Sequence, residues 1–309
     1  MKSKLGLSTK QGGVLLASLV TGVAGCSSDS TTTSPESERL SRIPTVVHVV
    51  HNGEPIGSGA NISAAQVRSQ IDVLNEDFRQ QFNNAIADSR GVDTLIEFYL
   101  ADTDENGTTL VEPGINRVNG GRPAWPKGPI RNPIDSLVKP ATIWSPDQYF
   151  NIWTVNFGGF VSRDLLGYAQ FPSESGLSGM PLDADHPETD GIVVGYKYFG
   201  SSEKGNFPDL VPPYDLGRTA THEVGHWLGL RHIWGDGDCT EDDFVDDTPA
   251  AEAPNFGCNV GNFSCGSEDM VRNYMDYSED DCIYLFTEGQ KQRMHTVLEN
   301  SPRRRELVE

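Results

Sequence analysis

The sequence predicts an α/β fold: a mixed, twisted sheet, one helix that divides the domain, and a loop-rich lower half stapled by disulfides. Three observations carry this. Upstream of residue 232, short β-branched or alternating apolar runs interleave with segments of helical period, as when a sheet packs on helices. The stretch His222-Glu223-Val224-Gly225-His226-Trp227-Leu228-Gly229-Leu230-Arg231-His232 reads as a helix that ends in a glycine turn. Cys239, Cys258, Cys265 and Cys282 all follow that helix, where apolar periodicity is weak.

Residues 1–26 read as a targeting segment. Lys2, Lys4 and Lys10 make a basic start, and Val14 to Val23 form an apolar run too short to span a bilayer as a mature helix. The run ends Val23-Ala24-Gly25-Cys26, which resembles a bacterial lipobox with Cys26 as the lipidated residue; an ordinary signal cleaved nearby is the other reading. Both readings predict an exported chain. Residues 27–42 are rich in Ser, Thr and Glu and read as a flexible tether. They are too short for a folded pro-domain and hold no cysteine that could plug a metal site. Residues 43–300 form the main domain, its upper part running to about 232 and its lower part from 233 to 300. The tail, 301–309, reads as frayed.

Within the domain, Ile43 to Val50 is a β-branched run and predicts a buried strand. Ser63 is placed to cap a helix whose core face is Val67, Ile71, Leu74 and Phe78. Ile96 to Leu100 is a second strand. From 106 to 146 the chain is rich in Gly and Pro and predicts a long irregular loop with short strands. Tyr149 to Phe157, Leu166 to Phe171 and Gly191 to Tyr198 read as strands, the middle one an edge able to hold an extended peptide. Asp215 is the expected cap of the His222 helix, which runs to about Leu228. Residues 233–284 read mostly as loop, and Thr287 to Glu299 as a last helix carried by Met294 and Leu298.

Composition narrows the partners. The chain has 309 residues, 37% of them hydrophobic, enough for a sizeable core. Its formal net charge of −20 disfavours nucleic acid, whose phosphates it would repel. The expected partners are proteins or peptides, with contact to a membrane only through a lipid anchor, and a monomer is expected. Four cysteines in an exported chain imply two disulfides, with three possible pairings.

Residues four apart on a helix share a face, about 6 Å apart along the axis. His222 and His226 are so related, and a turn at Gly229 brings His232 toward them. Three neutral imidazoles with one position open describe a catalytic zinc site; a structural one would be closed by a fourth protein ligand. Glu223 follows the first ligand without being one, and is placed to act as general base. Between Asp236 and Asp247 acidic residues crowd a loop, where oxygen ligands suit Ca²⁺, although the spacing is not that of an EF-hand.

Asn273-Tyr274-Met275-Asp276-Tyr277 has the form of a Met-turn. With the His222–His232 stretch it resembles the metzincin metallopeptidases, and most of all the pappalysin family and its small ulilysin-like members, over roughly residues 43–298. The resemblance implies a metzincin-type zincin fold and a zinc-dependent endopeptidase. It implies that Met275 floors the ligands and that the Tyr277 hydroxyl supports the tetrahedral intermediate. It pairs Cys239 with Cys265 and Cys258 with Cys282. It implies structural calcium, with Asp243 and Thr248 the closest matches and Asp246 and Asp247 weaker ones. It places the acid directly before the last cysteine, Asp281, at the base of the pocket for the residue after the cut, where it selects Arg or Lys. Cutting before Arg would then release the domain from its tether at Ser41–Arg42 and nick the tail at Arg303 to Arg305. Rival readings are a zinc hydrolase of cell-wall peptides and an inactive surface lipoprotein that uses the fold for binding.

Overall fold

The computed structural model describes residues 39–81, 88–127, 132–158, 165–182 and 184–308. The targeting segment, Cys26 and the tether up to residue 38 lie outside the described residues.

The sheet is built on β1 (Ser41–His51), the run of β-branched residues. It pairs parallel with β2 (Ile96–Leu100) through its first half and β3 (Ile115–Asn119) through its second. On its other side lies β4 (Phe150–Val155), then β6 (Ile192–Gly195), both parallel. The short β5 (Gly167–Ala169) closes that edge antiparallel to β6. The mixed α/β sheet of the sequence reading is therefore present.

Both faces of the central strands are covered, which is why they read as continuous apolar runs. Val47, Val49, Ile152, Ile192 and Val194 face one core, shared with α1 (Ala64–Phe78) and α3 (Arg218–Trp227). Val50, Trp153, Val155 and Val193 face a second core with Trp125, Ile134 and Val138. That second core corrects the expectation of a long irregular loop over 106–146. Besides β3, the segment holds a helical turn, Ile134–Val138, that runs into α2 (Lys139–Thr142). Pieces so short show no helical period in sequence, yet the second face of the sheet requires them as cover.

Ser63 caps α1 as expected, its side chain accepting from Gln66 N, a contribution of about 1 kcal/mol. The cap of α3 differs from expectation. Asp215 accepts the Ser202 hydroxyl at 2.6 Å, and Gly217 at φ +90° takes the N-cap position. Asp280 Oδ2 instead receives the amides of Leu216 (2.8 Å) and Arg218 (3.3 Å), so a carboxylate from a distant segment faces the positive end of the helix. All of α3 is buried. Thr221 donates to Asp77 of α1, and the Trp227 ring lies 4.1 Å from that of Phe150 on β4.

Below α3 the chain is mostly loop, with a small hairpin of β7 (Phe263–Ser264) and β8 (Ser267–Glu268). Disulfides join Cys239 to Cys265 and Cys258 to Cys282, the pairing implied by the family resemblance. A capping box of Thr287 and Gln290 starts α4 (Glu288–Asn300). The tail is not frayed: Pro302–Leu307 form α5, with Arg303 and Arg304 buried. Their guanidiniums satisfy Asp190, a partner no local pattern reveals. The release cut expected at Ser41–Arg42 also meets folded backbone, since that bond lies inside β1 and Ser41 N donates to Leu95 O at 2.8 Å.

Candidate active site

Helix α3 places His222 and His226 on one face, and the turn at Gly229, φ +87°, returns His232 to them. The Nε2 atom of His226 lies 3.1 Å from that of His222 and 3.1 Å from that of His232. These are not hydrogen bonds, because each ring uses Nδ1 as its donor. His222 donates to Tyr274 O at 2.7 Å, His226 to Leu230 O at 2.8 Å, and His232 to Asp236 Oδ1. With the protons fixed on Nδ1, three Nε2 lone pairs converge. Tetrahedral zinc at its usual bond length sets ligand nitrogens about 3.3 Å apart, so the donor set fits the metal. Among the described residues no other His, Cys, Asp or Glu group converges in this way.

Burial keeps His222 and His226 neutral, as a metal requires. It drives His222 well below the ordinary histidine range and His226 down to about 3. Trp234 stacks on His232 at 4.3 Å and Tyr277 meets the same ring edge-on at 4.9 Å. Asp236, the carboxylate that orients His232, escaped the sequence reading because it stands among many acids. Its spacing of four from the ligand was the available signal. The His232 ring N–H beside it holds its carboxyl below the usual range.

Glu223 is buried, and loss of water pushes its carboxyl up to about 8. It has room because residue 167 of β5 is glycine: a Cβ there would lie 2.8 Å from Glu223 Cγ and Oε1. Met275 is fully buried against Gly225, the residue before His226. Asp276 takes the amides of Asn255 (2.9 Å) and Tyr277 (2.8 Å), which fixes the Met-turn and aims Tyr277 at the histidines.

A cavity of about 320 Å³ opens beside Glu223 and His222, walled by Tyr214, Phe256 and Tyr277. Of the two neighbouring acids before Cys282, Asp280 lines it, with Asp276 and Glu223, and Asp281 does not. Asp281 is exposed, while Asp280 is 2% exposed. The chain turns tightly here, with Cys282 N donating to Glu279 O at 2.9 Å, so neighbouring acids face opposite ways.

In the acidic loop, Thr248 Oγ1 lies 2.6 Å from Asp243 Oδ2 and 2.8 Å from Val245 O. Burial pushes the Asp243 carboxyl up to about 6. The weaker candidates are not brought to this pair. Asp246 is exposed, and Asp247 accepts Thr287 Oγ1 and Gly289 N at the start of α4.

A family model described as pregnancy-associated plasma protein-A matches residues 134–299. An extracellular metalloprotease of Pyricularia oryzae is 30% identical over 285 residues, covering 91% of this chain and 83% of that relative. Extracellular metalloprotease 1 of Coccidioides posadasii is 40% identical over 142 residues, 45% of this chain and half the length of that relative (50%). Mature mirolysin of Tannerella forsythia, solved in complex with a cleaved peptide, matches with a TM-score of 0.70 at 41% identity, over 86% of this chain and 94% of that one.

Proposed function

The chain belongs to the pappalysin family of zinc metalloendopeptidases, and on that premise we propose that it is an extracellular enzyme that cuts peptide bonds before Arg or Lys. The observation that carries the specificity is Asp280, buried at the wall of the cavity beside Glu223. A carboxylate held in a narrow, part-dry pocket pairs with guanidinium or ammonium, and faces an apolar side chain as an unpaired charge. Tyr214 and Phe256 supply apolar wall for the methylene stem.

His222, His226 and His232 hold the zinc. When bound, it supplies Lewis acidity toward the scissile carbonyl and acidifies its water. Glu223 takes the proton from the attacking water and returns it to the leaving amine. The Tyr277 hydroxyl donates to the oxyanion as it forms. The edge of β5 holds the substrate extended, and Gly167 keeps that strand clear of Glu223.

Asp243 and Thr248 hold a structural calcium that stiffens the disulfide-stapled loops. Residues 1–26 direct export and Cys26 carries a lipid anchor. The catalytic domain is taken to run from Ser41, where β1 begins, through α5, wider than the expected 43–300.

An inert binding protein has no use for a base and three ligands held in register. Profiling cleavage of a peptide library and of casein, with and without a zinc chelator, tests the reading. Chelator-sensitive cuts before Arg and Lys are expected; a profile with apolar residues after the cut overturns the specificity. Activity confined to cell-wall peptides favours the rival hydrolase. Mass spectrometry of the mature N-terminus decides the anchor: an unmodified terminus at Cys26 refutes lipidation.

A further inference from the structure

The last carbonyls of a helix have no partner within it, and the zinc helix ends between two of its ligands. Among the described residues, buried arginines from the C-terminal helices take the last carbonyl of this helix, that of Trp227, and the carbonyl of Gly229 in the turn after it. Arg293 of α4 donates Nε to Gly229 O at 2.6 Å and Nη2 to Ser178 O at 2.6 Å. Arg304 of α5 donates Nε to Trp227 O at 3.3 Å. Its guanidinium also lies over the Trp227 ring, 4.1 Å from the centroid, and is 1% exposed. Asp190 completes the clasp. One oxygen accepts the Trp227 indole N–H at 3.0 Å, and the other accepts Arg303 Nε (2.5 Å) and Arg304 Nη1 (2.6 Å).

Trp227 directly follows the ligand His226, and Gly229 is the turn that delivers His232. Charge favours the arrangement, since cations are stabilised at the negative end of a helix and a desolvated charge-assisted bond is stronger than a neutral one. The turn cannot relax by substitution: a Cβ on Gly229 would meet Val297 of α4 at 2.7 Å. The end of α3 is thus seated against α4 and α5. The family match ends at residue 299, before α5 begins at Pro302.

We infer that Arg293 and Arg304 are positioning residues for zinc: they fix the end of the zinc helix and the turn after it, and so set the angle at which His226 and His232 meet the metal. The inference rests on the reading of these histidines as zinc ligands. It assigns the C-terminal helices a part in the chemistry although they touch no substrate.

The test uses the full mature chain with Arg304→Met, Arg304→Lys and Arg293→Met. The readouts are zinc affinity by chelator competition, kcat and KM on a basic peptide per zinc-loaded molecule, and hydrogen exchange of the Leu228, Gly229 and Leu230 amides. Arg304→Met and Arg293→Met are expected to weaken zinc at least about tenfold, the usual effect of losing a group that orients a ligand. They should lower kcat with little change in KM and speed exchange at those three amides. Arg304→Lys keeps the charge and should recover part of the loss, and it carries the test if Arg304→Met does not fold. Wild-type zinc affinity and kcat in the folded variants, even with a lowered melting temperature, would overturn the inference. A separate variant, His232→Ala, checks the ligand reading: if it still binds zinc as the wild type does, that reading has failed, independently of the arginines.

Discussion

A Cβ on Gly225 would lie 2.4 Å from Met275 Sδ. The residue before the second ligand and the methionine therefore touch with no room for a methyl group. Gly225→Ala should destabilise the protein by about 1–3 kcal/mol through overpacking. Met275→Ala alone should cost about 2–5 kcal/mol through the cavity it leaves. Because the two changes act on one contact, urea unfolding of the double variant should show a loss smaller than the sum. A strictly additive double variant would mean that the contact is not what holds the two segments together.

Glu223 sits next to a ligand but is not one. Glu223→Gln should keep one zinc per chain and an unchanged circular dichroism spectrum while kcat falls by about 10²–10⁴-fold. Metal analysis and kinetics on the same sample check this, and near-normal turnover in the zinc-loaded variant would remove Glu223 from the mechanism.

Burial pushes the Asp280 carboxyl up to about 7, with the Leu216 amide and Arg218 opposing it. A raised carboxyl is neutral below that pH, so its charge is present above about 7 and lost as pH falls through it. Discrimination between peptides with Arg and with Leu after the cut should therefore shrink below about pH 7. The ratio of the two kcat/KM values is the measurement, because titrations at the metal cancel in it. Asp280→Ala should lower that ratio by about 10²-fold or more and flatten its pH dependence, since the buried partner of the cation is gone. Asp281→Ala should leave the ratio unchanged. For stability, the folded state holds the Asp280 proton between about pH 4 and 7 where the unfolded chain has lost it. The contribution therefore declines as pH rises through that window, and Asp280→Asn should remove the decline.

The proposed calcium site predicts a linked effect on stability. Adding calcium to fully depleted protein should raise its melting temperature and slow self-digestion. Asp243→Asn should abolish both effects, while Asp246→Asn should leave them intact. A depleted wild type that ignores calcium would count against the site.

The zinc constellation was legible because its spacing is local: a helix, a glycine turn and three histidines within eleven residues state their own geometry. The strands were legible for the same reason, being runs of β-branched residues. What escaped depends on contacts across the chain. Asp280 and Asp281 are adjacent and alike, and only the turn closed by Cys282 decides which enters the cavity. Asp215 and Gly217 both precede the zinc helix, but the carboxylate at that helix end comes from residue 280. Arg303 and Arg304 look like a solvated basic tail until Asp190 is seen to be buried beneath them.

The docking of α5 has a consequence for the lifetime of the enzyme. The run Arg303-Arg304-Arg305 offers three bonds of the kind the enzyme is proposed to cut, yet in α5 they are helical, and Arg305 N is bonded to Ser301 O at 2.9 Å. A peptidase takes its substrate extended, so these bonds become available only in molecules whose α5 has left its seat. At a fixed enzyme concentration, the rate of self-digestion there follows the population of that open form. An opened molecule has also lost Arg304 from the end of its zinc helix. On the two proposals together, release of α5 would both free these bonds for cutting and withdraw Arg304 from the end of the zinc helix.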